Sequence, residues 1–448
     1  MNFVFYDTET TGTDTTFDQI LQFAAILTDA DFNELDRFDI RCRLLPHIVP
    51  SPGALIATRV TPSMVNDHDL PSHYEAMQAV ATKLRSWSPA IFIGFNTLAF
   101  DEPLLRQAFY QTLKPVYLTS TIGNKRADVI RLVQATAALA PNAITVPIND
   151  NDKPTFKLDR LAPANGFAHE NAHDALADVE ATIFMARLVK ERAPQVWNAL
   201  MSMIDKQEAT ARVLSGRPEV LIEFFGGRPF IRPVIGCGQN LDYPAMLGVF
   251  DLTRDPDEIA TLGVERLVDA MTGPDRSIRI VYANKLPIVV DPDLVPEGVI
   301  EVPVEVMRDR AQRIVDDVGL RQRMNEALAN RYPPREASAI IEERIYDGFP
   351  SKADDNRMAE FHRVDWSRRA SLVETFEDDR LREFGRRLVF LEAPKALDPQ
   401  LRQQLGQWLD YRRNGREGVS AGRTIVDALK EVEKPCADRP DKTEELDE

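Results

Sequence analysis

The residues of this chain best suited to chemistry are acidic side chains at the ends of predicted strands. Asp7 and Glu9 end an aromatic, β-rich run that Gly12 closes, which predicts a buried strand followed by a turn. Side chains at i and i+2 of a strand point to one face, so the two carboxylates converge. Charges about 4 Å apart repel by about 4 kcal/mol at an effective dielectric of 20. A divalent cation would remove this repulsion, although acidic residues at strand ends are often simply solvated.

A third carboxylate, Asp101, follows a second apolar run at residues 90–96. Pro103 suits the first turn of a helix, which places Asp101 at the start of that helix, just beyond the carboxyl end of a strand. Ligands of α/β folds bind at this end of the sheet. The alternative is that Asp101 only caps the helix.

The last two candidates, His173 and Asp178, lie where a helix is predicted to begin. Leu176, Val179 and Ile183 recur at helical spacing. A separation of five positions corresponds to about 140° around a helix, so His173 and Asp178 share a site only if His173 lies in the first turn or just before it. Histidines near helix starts are more often packed or solvated than catalytic, but this one is among only six in the chain.

These candidates fall into three motifs: Asp7-x-Glu9, Asn96-x-x-x-Phe100-Asp101 and His173-x-x-x-x-Asp178. The motifs resemble those of the DEDDh group of 3′→5′ exonucleases. Residues 164–190, 284–287 and 344–354 are also similar to the exodeoxyribonuclease I family within that group. The resemblance is strong as far as Lys190 and patchy beyond it.

The resemblance implies that Asp7, Glu9, Asp101 and Asp178 bind two Mg²⁺ ions, which Mn²⁺ could replace, and that His173 deprotonates the attacking water. The chemistry of the residues agrees. Oxygen ligands without thiolates favour Mg²⁺ or Mn²⁺ over zinc. Two cations about 4 Å apart stabilise the attacking and leaving oxygens of phosphodiester hydrolysis. An imidazole with a pKa of about 6.5 can accept a proton near neutral pH.

Four residues are predicted to contact the substrate: Glu9, Lys157, Arg106 and Tyr117. Lys157 precedes the histidine motif at a position that is basic in the similar enzymes, and it could neutralise a phosphate, as could Arg106. Tyr117 could stack on a base, which contributes about 1–3 kcal/mol. Lys157, Arg106 and Tyr117 could equally be surface or packing residues.

Changes of pattern along the chain predict its organisation. Residues 1–193 alternate strands and helices and predict an α/β exonuclease domain with a mixed, ribonuclease H-like sheet. Residues 194–345 combine linking helices with short β-rich runs, which predict a small β-barrel, and the resemblance makes it SH3-like. Residues 346–430 predict a C-terminal helical domain. Residues 431–448 read as an acidic, disordered tail, since the segment from Lys430 to Glu448 carries eight acidic and four basic side chains.

This organisation bears on the substrate. Small enzymes of the group need only the part of the chain that ends near Lys190, whereas a cleft closed by further domains would admit a single strand and exclude a duplex. The resemblance therefore implies processive 3′→5′ hydrolysis of single-stranded DNA to 5′-mononucleotides, in DNA repair and recombination. The alternatives are an RNA or oligonucleotide exonuclease of the same motif class, a polymerase proofreading partner, and a catalytically idle single-stranded DNA-binding module.

Charge and composition bear on partners and location. A net charge of −16 is unfavourable for binding DNA, but basic residues cluster locally, as at 206–217 and 308–323. Three widely spaced cysteines predict neither a disulfide framework nor a zinc site. Met1 leads directly into the first predicted strand, and no apolar stretch is long enough to cross a bilayer. We therefore expect a cytoplasmic protein without a membrane span, and a monomer.

The resemblance also implies a protein partner. Members of the family associate with the acidic C-terminal tail of single-stranded DNA-binding protein. One arginine expected in the basic pocket for that tail is replaced near Ala140.

Overall fold

The first five strands form one mixed sheet. The computed structural model describes residues 1–168, 174–332, 336–415 and 421–438. The strands of this sheet are β1 (Asn2–Thr10), β2 (Ile20–Thr28), β3 (Glu34–Arg41), β4 (Ala90–Gly94) and β5 (Lys125–Asp128). Their order is β3-β2-β1-β4-β5, in which β1 runs antiparallel to β2 and parallel to β4. The mixed sheet predicted for the amino-terminal part of the chain is therefore confirmed.

Helices cover both faces of this sheet. The helices of this part of the chain are α1 (Pro52–Thr58), α2 (Pro62–Val65), α3 (His73–Ser86), α4 (Asp101–Gln111), α5 (Val129–Leu139), α6 (Leu158–Ala164), α7 (Ala175–Arg192), α8 (Pro194–Met201) and α9 (Lys206–Val213). Phe3 and Phe5 of β1 share a core with α5, α7 and α8, whereas Val4 and Tyr6 share one with α3 and α4. This alternation along a strand gives residues 7 and 9 the face that α7 covers.

The middle of the chain forms a second, antiparallel sheet. Its strands are β6 (Glu219–Phe225), β7 (Arg228–Gln239), β8 (Met246–Asp251), β9 (Ile278–Tyr282) and β10 (Val289–Val290), in the order β10-β6-β7-β8-β9. The helices of this part are α10 (Asp257–Ala260), α11 (Val264–Asp269), α12 (Val304–Asp316) and α13 (Val318–Ala329). The short strands predicted for this part of the chain are confirmed, and its SH3-like assignment stays a prediction.

The last part of the chain is helical, as predicted. It contains α14 (Lys352–Phe361), α15 (Trp366–Val373), α16 (Asp379–Glu392), α17 (Pro399–Asn414) and α18 (Ile425–Asp438). The apolar faces of α14, α15, α16 and α17 form a core with Tyr110 and Leu113 at the end of α4. Gln107 and Tyr110 of α4 also donate hydrogen bonds to the backbone oxygens of residues 342 and 341. The helical part thus packs directly against α4.

The segment 431–448, expected to be a disordered tail, is helical in its first eight residues. Residues 431–438 continue α18, and 439–448 lie outside the described residues. A capping exchange begins the helix, since Asp427 accepts from Thr424 N at 3.0 Å and donates its own N–H to Thr424 Oγ1 at 3.2 Å. Ser51 then donates to Glu431 at 2.5 Å. Local capping and this long-range contact therefore stabilise a helix in a segment whose charge-rich composition predicted disorder.

No helix in the described parts of the chain combines the length and apolarity needed to cross a membrane.

Candidate active site

The end of β1 presents two carboxylates to α7. Asp7 and Glu9 follow Phe3 and Phe5 on the same face of the strand, and ligand oxygens of Asp7, Glu9 and Asp178 all lie within 4.8 Å of one another. The predicted convergence of the first pair is therefore observed, and a third carboxylate from a distant helix joins it.

Asp178 is held in place by the start of α7. Asp174 is the N-cap of this helix, and its Oδ1 accepts from Leu176 N at 3.2 Å and Ala177 N at 3.4 Å. Asp178 lies four positions later, about one helical turn, and so projects from the end of the helix that overlies β1. Asp174 therefore has a structural role as the cap of α7, whereas the carboxylate of Asp178 lies in the acidic site.

Asp101 reaches the same region from β4. It is the first residue of α4, is buried, and accepts a hydrogen bond from Thr8 Oγ1 at 2.6 Å. The preceding loop is fixed by the buried carboxylate of Asp128, which accepts from Asn96 N at 2.8 Å and Leu98 N at 3.0 Å. Thr8 lies between Asp7 and Glu9 in sequence, so this hydrogen bond joins the two acidic segments.

Burial and like charge raise the pKa values of these carboxyls. Burial, reinforced by Asp178 and Asp101, raises the pKa of Glu9 to about 8, and Arg41 acts in the opposite direction. Burial also raises the pKa of Asp101 to about 7, against the hydrogen bond from Thr8. The pKa of Asp7 is raised well above its usual value by burial and by the neighbouring Asp101 and Asp178. The cluster thus concentrates negative charge where water cannot screen it.

This donor set fits a divalent metal. The three converging residues offer only carboxylate oxygens, which hard cations prefer. Like charge adds to burial in raising the pKa values of Asp7 and Glu9, and a cation would relieve this repulsion. The residues that would hold it are Asp7, Glu9 and Asp178, with Asp101 alongside.

The remaining predicted site residues have different environments. His173 lies outside the described residues. Lys157 is exposed and is the residue before α6. The guanidinium of Arg106 lies 2.8 Å from Glu102 and 4.9 Å from the centre of the Tyr117 ring, so its charge is already paired and its face is stacked. The sequence analysis assigned no role to Glu102, the partner of Arg106.

Glu102 is the residue that the sequence analysis missed. Its buried carboxylate accepts from Tyr6 at 2.9 Å, Thr119 at 2.7 Å and Arg126 at 3.2 Å, in addition to Arg106. Burial alone would raise the pKa of Glu102, but Arg106 and Arg126 outweigh it and lower the pKa. The only sequence signal was the adjacency of two acids, 101 and 102, at one helix start.

Two family models match the chain. The model described as "Exonuclease" matches residues 4–185, and that of the "Exonuclease I C-terminal domain" matches residues 340–447. Exodeoxyribonuclease I of Haemophilus influenzae is 28% identical over 438 residues, covering 93% of this chain and 91% of the relative. That of Escherichia coli is 29% identical over 431 residues, covering 92% and 89%. The chain therefore joins an exonuclease domain to an exonuclease I C-terminal domain, and it is similar to exodeoxyribonuclease I over more than nine-tenths of its length.

Solved structures of exonuclease I have the same fold. Exonuclease I from Methylocaldum szegediense matches with a TM-score of 0.86 at 25% identity, covering 99% of this chain and 98% of that one. E. coli exonuclease I in complex with a dA16 oligonucleotide also gives 0.86 at 25% identity, covering 100% and 97%. A structure of SSB with exonuclease I gives 0.84 at 24% identity, covering 100% and 97%. The ribonuclease H-like fold of the exonuclease part is therefore confirmed.

The matched domains and the similar enzymes also establish the class of activity. The chain is a 3′→5′ exonuclease, and its exonuclease domain belongs to a metal-dependent class. The alternative of a catalytically idle binding module is therefore wrong.

Proposed function

We propose that the chain hydrolyses single-stranded DNA processively from its 3′ end, releases 5′-mononucleotides, and acts in DNA repair and recombination. The observation that carries this proposal is the convergence of Asp7, Glu9 and Asp178, with Asp101 tied to them through Thr8. The dA16 complex of the similar E. coli enzyme supports DNA as the substrate.

The roles of the site residues follow from their chemistry. Asp7, Glu9, Asp101 and Asp178 would hold two Mg²⁺ ions, which supply charge stabilisation to the attacking and leaving oxygens when bound. The imidazole of His173 would accept the proton of the attacking water, since a histidine titrates near neutral pH. The buried surroundings would exclude bulk water, which strengthens each of these electrostatic interactions.

An aromatic and basic surface supports a path for a single strand. Tyr117 lies with its ring centre 5.6 Å from that of Phe349, which is 81% exposed. In the middle sheet the ring centres of Tyr243 and Tyr282 are 6.3 Å apart, and Lys285 Nζ lies 5.2 Å from the centre of the Tyr282 ring. Exposed rings stack on bases of any sequence, and lysines neutralise phosphates. Lys157 would contact a phosphate. Arg106, whose charge is already paired, would hold the ring of Tyr117 in place.

Contacts between the ends of the chain support a closed cleft. Ser51 and Asp18 of the exonuclease part contact Glu431 and Arg423, at 2.5 Å and 3.5 Å. We propose that residues 1–193, 194–345 and 346–430 are domains that surround the strand, the middle one SH3-like. A strand threaded through such a cleft would stay bound over many cycles, which is the physical basis of processivity.

Single-stranded DNA-binding protein is the proposed protein partner, through its acidic C-terminal tail. The structure of SSB with a similar exonuclease I supports this. A pull-down that retains the two proteins equally well after deletion of the tail would contradict it. Location in the cytoplasm and a monomeric state stay predictions.

The function is tested by a time course with 3′-labelled and 5′-labelled single-stranded DNA, its duplex and the matching RNA, with Mg²⁺ and with chelator. We expect Mg²⁺-dependent loss of the single-stranded DNA alone, from its 3′ end, with mononucleotides as the product. Preference for RNA would assign the chain to the RNA-trimming members of its motif class. A trap of unlabelled DNA added after the first cycle measures processivity.

A further inference from the structure

The row of paired residues that crosses the sheet from Glu9 ends at a positively charged side chain. Glu9 of β1 pairs with Gln22 of β2, and Gln22 pairs with Arg41, the last residue of β3. Directly opposed residues on paired strands project to the same face of a sheet. Gln22 and Arg41 therefore face α7, as Glu9 does, without belonging to the carboxylate cluster.

Both side chains reach the residue that caps α7. Arg41 Nη2 lies 2.8 Å from Asp174 Oδ2, and Gln22 Nε2 donates to the same oxygen at 3.4 Å. Gln22 Oε1 also accepts from Ala175 N at 3.4 Å. The other oxygen of Asp174 caps the helix. The carboxylate of Asp174 therefore joins the first turn of α7 to the sheet: Oδ1 caps the helix, and Oδ2 contacts the side chains of the sheet.

We propose that Arg41 is a positioning residue for the exonuclease reaction: through Asp174 it fixes the first turn of α7, and so the carboxylate of Asp178, against β1. The inference rests on the function proposed above, which gives Asp178 its role in holding metal. The Arg41–Asp174 pair is too exposed to add much to overall stability. Its effect is geometric, because a misplacement of about 1 Å at a reacting centre can cost about a hundredfold in rate.

A second ion pair provides a matched control. Arg37 Nη1 lies 3.5 Å from Glu180 Oε1, so it also joins β3 to α7, and both side chains are about half exposed. Arg37 keeps another partner, Glu34, whichever way α7 moves. Arg37→Met removes a charge from the same strand without touching the helix cap.

The experiment is a double-mutant cycle in the full-length chain, with Arg41→Met, Asp174→Asn and the double variant. Asparagine is also a good N-cap, so Asp174→Asn removes the ion pair while keeping the helix start. We expect each single variant to lower kcat on single-stranded DNA about tenfold, with KM within about twofold of wild type, and the double variant to be no slower, because both changes remove one interaction. Arg41→Lys should recover part of the loss and Arg37→Met should leave kcat unchanged.

Mn²⁺ binding, followed by electron paramagnetic resonance without substrate, gives a readout apart from turnover. Arg41→Met and Asp174→Asn should each weaken it, and Arg37→Met should not. Additive losses in the double variant, or a raised KM in Arg41→Met alone, would overturn the proposal; the latter would show direct contact with DNA. If wild type does not cleave DNA, the proposed function fails. Mn²⁺ binding by Arg41→Met that is as strong as that of wild type would separately overturn the positioning role.

Discussion

Glu9→Gln tests the electrostatics of the candidate site most directly. The side chain is buried, and its pKa is raised to about 8, first by burial and then by Asp178 and Asp101. Glutamine has nearly the shape of the protonated acid but does not titrate. Replacing Glu9 therefore removes a buried charge that destabilises the metal-free fold, and it also removes one of the proposed metal ligands.

The sign and size of the effect follow from linkage. A carboxyl whose pKa is higher in the folded state than in the unfolded state stabilises the fold at low pH, and this stability is lost as the pH rises from about 4.5 to about 8. At about 1.36 kcal/mol for each pH unit, the loss from Glu9 is at most about 5 kcal/mol. In metal-free protein, Glu9→Gln should therefore match wild type near pH 5 and become the more stable form by pH 9. For a domain of this size, each kcal/mol corresponds to about 2–4 °C in Tm.

The assay is thermal unfolding in EDTA at pH 5 to 9, repeated with Mg²⁺. The difference in Tm between variant and wild type should grow by several degrees with pH, and Mg²⁺ should stabilise wild type more than the variant, which should be inactive. Asp36→Asn is a control without a pH trend, since hydrogen bonds from Lys83 and Trp87 lower the pKa of Asp36 and the carboxylate therefore stays ionised throughout pH 5 to 9. A Tm difference for Glu9→Gln that stays constant from pH 5 to 9 would refute the reasoning.

Three further predictions concern single site residues. Thr8→Val removes the hydrogen bond that lowers the pKa of Asp101, so the rising limb of the pH–rate profile should move to higher pH; an unchanged profile would contradict this. Tyr117→Ala should raise KM for single-stranded DNA by the equivalent of about 1–3 kcal/mol and leave kcat nearly unchanged in steady-state assays. His173→Ala should lose most turnover while still binding Mn²⁺ in calorimetry, whereas Asp7→Ala should lose both, and equal Mn²⁺ affinity would show that these roles are wrong.

The parts of the site that could be predicted depend on local pattern. The i, i+2 spacing of Asp7 and Glu9 and the helix start at Asp101 need only a few neighbouring residues, and the structure confirms both. The position of Asp178 one turn after a cap is equally local. Pairings between distant residues could not be predicted, because no local pattern shows which charge meets which. Arg41 and Asp174 are 133 positions apart, and their contact depends on how α7 crosses the sheet.

Asp101 and Glu102 show this limit most clearly. They are adjacent acids at the start of one helix, both buried, yet the pKa of Asp101 is raised to about 7 and that of Glu102 is lowered. Successive helical residues point in directions about 100° apart, so one carboxylate faces the acidic cluster and the other faces Arg106 and Arg126. A carboxylate neutralised by two arginines has little charge left for a metal, whereas one among like charges gains most from binding it. The direction in which each side chain projects, and not its residue type, therefore makes Asp101 a candidate metal ligand and gives Glu102 a structural role.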